Sequence, residues 1–503
     1  MEWNELENIR LEKIKKLKKA GIEAFPTRSE VTHTIAEATT NFSDDQPQPV
    51  PAVVLGGRIR SKRSMGKLTF AHIEDGSGKI QLMLRVNELG SQALQVFNEL
   101  FDLGDFMQAN GSLMKSRTGE ITLLVNEFKL LAKAITPLPA DKDEEVDGQV
   151  VRHAALSDPE TRYRQRYADL AVNTDVREVF RVRGKIVRAL QEFLDSHGFL
   201  EVETPILQPL YGGAAAKPFI THHKQLHQDL FLRISFELYL KRLLVGGLER
   251  VYEIGRDFRN EGVSFKHNPE FTQLEFYMAY ADYFKIMELT EQMIAFVCDQ
   301  VVGKRVVNYQ GQEINLNPPW KRVELRDAII EKTGVDFTKH TDDKSLYDAL
   351  QQAGFNPQAG APWGKLIDAI LGDLIEPTLM QPTFLYNYPR EISPLAKNIP
   401  GNPAMVERFE GFVGGIELCN AFTELNDPVE QEKRFIEMGN MYAADDEERH
   451  PLDEDYLRAM AYGMPPNGGF GMGVDRLTML LTDKHSIREV ILFPHLRERE
   501  DEK

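Results

Sequence analysis

Certain stretches of the chain carry residues whose type and spacing could do chemistry. Val251–Glu261 alternates like a strand and sets Asp257, Arg259 and Glu261 on one face. After a loop over 262–270, Phe271–Ala279 alternates again and sets Phe271, Gln273, Glu275 and Tyr277 on one face. A half-buried strand does not carry such a charged face without partners, so the pair reads as the wall of a pocket for a charged ligand, against the plainer alternative of a solvent-facing ladder of ion pairs. Gly468–Leu481 is a glycine-rich strand running into an apolar helix that begins with Asp475 and Arg476. Glycines in a strand let a ligand approach the backbone, and a planar guanidinium suits a base and a phosphate.

Glu407–Asp427 reads as a hairpin turning at Gly414-Gly415. Val413 then faces Ile416, Phe412 faces Glu417 and Glu410 faces Cys419. Glu410 and Glu417 become diagonal neighbours about 7–8 Å apart at the backbone, a pair of carboxylates that suits Mg²⁺ with phosphates and water. The plainer alternative is two exposed surface glutamates. Strict alternation puts Asn420, Phe422 and Glu424 on the other face, and only a bulge or twist after Cys419 brings them round. The familiar nucleotide and hydrolase devices are missing: the sequence has no G-x-x-x-x-G-K-[ST] loop, no G-x-G-x-x-G, no H-E-x-x-H and no G-x-S-x-G.

These residues need elements to position them. Val182–His197 is helical, closes at Gly198 and is followed by a short strand ending at Pro205. Residues 151–503 mix long helices with strands, with an inserted helical segment near 325–380. Upstream, Val53–Met65, Lys67–Glu74, Lys79–Val86, a helix near Ser91–Phe101, Asp105–Lys115 and Glu120–Leu131 give the order β-β-β-α-β-β of an OB-fold barrel. Residues 1–20 read as a helix with a lysine-rich second half, either a docked terminal helix or a basic arm, and 39–51 as a proline-rich linker. An acidic run from Asp141 to Asp147 marks a boundary. The expected divisions are an arm and linker over 1–50, the barrel over 51–136, a linker over 137–175 and a large α+β domain over 176–503.

Composition bounds the rest. The chain has 503 residues, 42% hydrophobic and 27% charged, which is ordinary globular composition. No apolar run is long enough for a membrane helix, and the first residues do not read as a secretory signal. Cys298 and Cys419 alone make neither a disulfide framework nor a cysteine zinc site, so a reducing intracellular compartment is expected. With 60 basic and 77 acidic residues the net charge is −17, so any RNA contact must be local.

At these residues the sequence resembles a class II aminoacyl-tRNA synthetase. Gly198–Pro205 resembles that class's first motif, Phe258-Arg259-Asn260-Glu261 the second and Gly471-Met472-Gly473-Val474-Asp475-Arg476 the third. Longer matches, Gly212–Phe219, Glu237–Leu243, His267–Phe271, Glu275–Tyr283 and Asn420–Asp427, resemble the lysyl-tRNA synthetases of bacterial type. Ile234-Ser235 stands where that family usually has Ala-Pro. The resemblance implies an α+β fold, an antiparallel sheet flanked by helices, behind an N-terminal OB-fold barrel. It implies a cytoplasmic homodimer, with no membrane association, joining L-lysine to tRNA(Lys) through a lysyl-adenylate made from ATP.

Carried over, Arg259 clamps the substrate carboxylate and α-phosphate, Glu261 reads the adenine amino group, and Phe271 and Arg476 sandwich the ring. His267 reaches the outer phosphates, Asn268 joins the nucleotide site, and Glu410 and Glu417 hold Mg²⁺. Gly213 and Glu237 take the α-amino group, while Glu275, Tyr277 and Glu424 surround the ε-ammonium, with Phe422 along the stem and Asn420 beside it. In the barrel, Phe70 stacks an anticodon base and Arg63, Gln81 and Glu127 read edges or backbone. The rivals are an aspartyl- or asparaginyl-tRNA synthetase, a lysyl transferase acting on protein, and a non-catalytic RNA-binding relative.

Overall fold

The computed structural model describes residues 2–43, 52–139, 142–146, 149–153, 156–441 and 452–497. They form two compact units, Met1–Ser157 and Asp158–Lys503.

In the first unit, β1 (Val53–Met65), β2 (Leu68–Glu74), β3 (Lys79–Arg85), β4 (Phe106–Lys115) and β5 (Ile121–Ala132) close a barrel in the order β1-β2-β3-β5-β4. This is the expected OB-fold arrangement, with α2 (Ser91–Leu100) between β3 and β4. Alternation drives it: Ala71, Ile73, Ile80, Leu82 and Leu84 point into a sealed apolar interior while their neighbours face out. The amino-terminal helix α1 (Glu5–Lys19) starts at a capping box between Asn4 and Glu7. It docks through Leu17 on the barrel core, and Lys13 pairs with Asp102 at 2.6 Å. Of the expected linker over 39–51, residues 44–51 lie outside the described residues. So do Asp141 and Asp147 of the acidic run; the backbone of 142–146 and 149–153 forms a two-stranded hairpin.

In the second unit the strands β6 (Leu200–Glu201), β7 (Arg250–Phe258), β8 (Glu270–Ala279), β9 (Lys321–Glu324), β10 (Thr383–Pro389), β11 (Asn402–Val413), β12 (Ile416–Thr423) and β13 (Asn467–Gly473) build one sheet. Its order is β9-β10-β11-β12-β13-β8-β7-β6, antiparallel except at the β9–β10 and β7–β6 edges. Residues 159–172, read from sequence as part of a linker, are helical and belong to this unit.

One face of the sheet is apolar through its centre. Tyr252, Phe276, Phe470, Ala421 and Phe409 lie in register across β7, β8, β13, β12 and β11, and Leu274, Met472 and Cys419 form the next row. Helices α3 (Thr174–Ser196) and α5 (Tyr283–Val301) cover this face. α3 contributes Ile186, Leu190, Phe193 and Leu194, spaced three and four apart, and α5 contributes Ile286, Met293, Ile294 and Val297. Fully burying each such side chain contributes roughly 1.5–3 kcal/mol. Because side chains alternate, packing one face this tightly forces every intervening residue onto the other face. α3 stops at Gly198, which takes φ +77° and turns the chain into β6. The inserted helices between 325 and 378 build a separate core against Leu385, Tyr388, Val406 and Phe412.

Candidate active site

The second face of the sheet holds the polar residues. Register places Glu253, Glu275, Gly471, Asn420 and Glu410 in one row across five strands, and Tyr277, Gly469, Phe422 and Arg408 in the row beside it. Both rows pass through glycine on the central strand β13. At Gly469 a Cβ would lie 2.0 Å from a Glu424 oxygen and 2.5 Å from the Tyr277 ring; at Gly471 it would lie 3.0 Å from the Gln273 amide. The glycines therefore floor a trough between β8 and β12, within a cavity of about 780 Å³.

One register expectation is corrected. Glu410 pairs across from Asn420 rather than Cys419, because the ladder shifts between Gly411 and Phe412. The extra residue is Leu418, so the bulge precedes Cys419 instead of following it. Leu418 and Cys419 are consecutive and both enter the apolar core, which consumes one residue of alternation. Glu417, Asn420 and Phe422 thereby share the face of Glu410.

At the closed end of the trough the carboxylates are buried. Glu275 is held entirely by neutral donors: Ser235 (2.9 Å) and Gln273 (2.9 Å) donate to Oε1, and the Tyr277 hydroxyl (3.2 Å) donates to Oε2. Burial above all, with Asp257 and Glu237 nearby, holds its carboxyl well above the usual range. Glu237, at the first turn of α4 (Glu237–Val245), accepts from Lys241 at 2.5 Å. Lys241 also pairs with Glu424. Lys241 meets Oε2 of Glu424, while Oε1 is buried without a hydrogen-bond partner. Burial raises the Glu424 carboxyl, and Lys241 opposes that rise. Gly213, with φ +90°, passes so close to Ser235 and Glu237 that a Cβ there would sit 2.9 Å from the Ser235 hydroxyl.

The other end is open. Arg259 stacks over Phe271 with its guanidinium 5.1 Å from the ring centre. Glu261 is exposed on the loop. His267 meets Ser264 at 2.8 Å and lies 3.5 Å from Arg476. Partial burial, then Arg476 and Lys266, push its imidazole down to about 4, so it is neutral near pH 7. Asn268 donates to the Glu270 carbonyl and leaves a buried Oδ1 without a partner. Arg476 donates to the Glu417 carbonyl (2.7 Å) and carboxylate (3.1 Å). Asp475 is buried: it pairs with Arg183 and accepts from the Thr272 backbone, pinning the start of α7 (Val474–Thr482).

Glu410 accepts from Tyr388 (2.9 Å) and from Arg408. Burial first, and the like charge of Glu417, raise it to about 7 despite Arg408. Two oxygen donors that repel each other on one face fit a hard divalent cation, whose remaining positions phosphate and water would fill. Among the described residues no cluster of three or more acidic, His or Cys side chains offers a fuller cage.

In the barrel, Arg63 and Phe70 pair directly on the outward face of β1 and β2, and Met83 follows on β3. Gln81 pairs with His72 one row over. Its amide donates at 2.9 Å to Glu120, which also meets His72 at 3.1 Å. Glu127 sits elsewhere, across from Asn110 on β4. Glu120 was therefore missed. So were Lys241, whose Glu237-to-Lys241 spacing looks like an ordinary surface pair on a helix, and Arg408, which bridges Asn420, Glu410, Ser393 and the Ile392 carbonyl. The alternation of Arg408 with Glu410 on β11 was the available signal.

A mainly antiparallel sheet with motif arginines on β7's exit loop and on α7, behind an OB-fold barrel, defines a class II tRNA synthetase. Comparison agrees: residues 158–497 match the family model of tRNA synthetases class II (D, K and N), and 53–131 that of the OB-fold nucleic acid binding domain. The chain is 50% identical over 502 residues to a Lysine--tRNA ligase of Chloroflexus aurantiacus, covering 100% of both chains. It is 51% identical over 499 residues to that of Carboxydothermus hydrogenoformans, covering 99% of each. The Lysine--tRNA ligase of Moorella thermoacetica is 48% identical over 498 residues, again with 99% of each covered. The chain belongs to the lysine–tRNA ligase family.

Proposed function

We propose that the trough binds L-lysine at its closed end and ATP at its open end, and that the enzyme joins them as lysyl-adenylate before passing lysine to the 3′ end of tRNA(Lys). The observation that carries this reading is Glu424: a buried carboxylate with one oxygen on Lys241 and the other unpartnered, given room by Gly469 and flanked by Tyr277. An alkyl ammonium supplies the missing donors and charge, with Phe422 beside the aliphatic stem. Glu275, saturated by Ser235, Gln273 and Tyr277, orients the Tyr277 hydroxyl rather than offering a free oxygen. Gly213 and Glu237 take the α-amino group. Arg259 holds the substrate carboxylate against the α-phosphate, so the carboxylate oxygen attacks phosphorus in line and pyrophosphate leaves. Phe271 and Arg476 hold adenine between them, Glu261 and Asn268 read its edge, and His267 meets the outer phosphates as a neutral donor.

Glu410 and Glu417 would hold Mg²⁺, which when bound supplies positive charge to the phosphates. For that, Arg408 and Arg476 release the carboxylates they hold in this structure. No side-chain nucleophile is involved; positioning and electrostatics lower the barrier. In the lysyl transfer, a terminal ribose hydroxyl of tRNA attacks the lysyl carbonyl, the ester bond forms as the bond to phosphate breaks, and AMP leaves with the hydroxyl proton on its phosphate. The barrel takes the anticodon, with Phe70 as stacking platform beside Arg63, Gln81 and Glu120. Two copies pair through the first-motif region, where Leu200, Ile206, Leu207 and Ile220 are 44–63% exposed. The reaction runs in the cytoplasm, where translation consumes the product.

Calorimetric binding of lysine against norleucine, which lacks only the ammonium, tests the reading. A site built around paired carboxylates rejects the uncharged analogue by about 10³-fold or more. Equal affinity would overturn it.

A further inference from the structure

Lys241 is the residue that the reaction described above does not use, and its placement calls for an account. It projects from α4 and is fully buried. Its ammonium bridges Glu237 and Glu424, the residues assigned to opposite ends of the substrate. The groups facing it come from several elements. Tyr277 on β8 has its ring centre 5.8 Å away. Tyr456 on α6 (Glu454–Ala461) is buried beside it, and its phenol is pushed up by burial. Glu237 in turn feels Arg408 from β11, and Glu275 feels Glu237. A lone buried ion pair is poor support for stability, since desolvating both ions offsets their attraction. Here one cation faces two carboxylates, and a buried Glu424 oxygen beside Gly469 keeps no hydrogen-bond partner. A purely structural pair would leave no oxygen unpartnered.

We propose that Lys241 is a positioning residue for substrate recognition: its fixed ammonium counteracts proton uptake by Glu237 and Glu424 in the empty pocket, so that lysine binds to carboxylates already charged and aimed. Burial raises the carboxyls of both residues, and Lys241 is the nearest group opposing that rise. Remove it, and Glu237, Glu424 and Glu275 become adjacent buried carboxyls with no cation among them, the arrangement in which protons are retained most strongly. Lysine would then have to displace protons, and its binding would weaken as pH falls.

The inference rests on the lysine reading of the trough and is tested by the pH profile of KM for lysine in pyrophosphate exchange between pH 6 and 8.5. In Lys241→Met, KM at pH 7 rises at least tenfold and its fall with pH moves upward by at least one pH unit. KM for ATP changes less than twofold. Lys241→Arg, which keeps the charge, restores the wild-type profile. If Lys241→Met does not fold, the double variant Lys241→Met/Glu424→Gln removes the repelling carboxylate as well. Its KM is high and flatter with pH than that of the wild type. A profile in Lys241→Met parallel to the wild type, or one in the double variant as steep as the wild type, would overturn the inference. Failure of the wild-type enzyme to use lysine would instead overturn the lysine reading itself.

Discussion

The two ends of the trough are built on opposite plans. At the closed end, Glu237, Lys241, Glu275, Tyr277 and Glu424 are each at most 5% exposed and hold one another through side-chain contacts on helix and strand. At the open end, Glu261 and His267 are exposed on a loop, and Arg259 and Arg476 rest on Phe271 and Glu417. The difference matches the ligands. A small amino acid must be told from similar ones, which demands a rigid site with buried groups that only the right ligand satisfies. ATP brings its own charges and must release pyrophosphate, which favours exposed cations that let go.

The comparison is breakable by substitution. The largest effect is expected at the closed end: Glu424→Gln leaves the substrate ammonium without its buried counter-charge, a loss of about 3–5 kcal/mol. That is a fall of about 10²–10⁴-fold in kcat/KM for lysine, with KM for ATP nearly unchanged in the same assay. Arg259→Lys keeps the charge but loses the planar fork, and kcat/KM for both substrates falls about 10²-fold. An effect on lysine alone would mean that Arg259 does not bridge the two ends. Outside the trough, Phe70→Ala lowers kcat/KM for tRNA by about 10–100-fold, the value of one stacked base, and leaves pyrophosphate exchange intact. Glu120→Ala weakens tRNA use more than Glu127→Ala.

The smallest effect concerns the metal and its pH dependence. Glu410 titrates at about 7, so below that pH a proton competes with Mg²⁺ for its oxygens. The Mg²⁺ concentration for half-maximal exchange therefore rises as pH falls from 7 to 6, by up to about tenfold per unit. Glu410→Gln raises that concentration at pH 8 and removes most of the trend. His267, already neutral with its imidazole near 4, contributes no inflection between pH 6 and 8.

Much of this was legible in the residues before any coordinates. The alternation of Gln273, Glu275 and Tyr277 with Leu274 and Phe276 is a period-2 signal, and period 2 alone decides which face each side chain takes. The barrel followed from turn glycines and strand lengths in the same way. The bulge was legible only as a need: consecutive apolar Leu418 and Cys419 enter the core together, and whether a ladder absorbs an extra residue depends on the partner strand. Lys241 was illegible for a related reason. A glutamate and a lysine four apart on a helix look the same on a surface and in a core, and burial is decided by Glu424 and Tyr456, distant in sequence. Glu120 was hidden because the neighbour of Gln81 is set by which strand lies beside β3 in the closed barrel.

The central claim is that buried carboxylates at the closed end select an alkyl ammonium beside bound ATP. ATP–pyrophosphate exchange driven by each of the twenty amino acids tests it most directly. Exchange with lysine alone, at least 10³-fold above every other amino acid, is the predicted result. Exchange driven by aspartate or asparagine, or none with lysine, would contradict it.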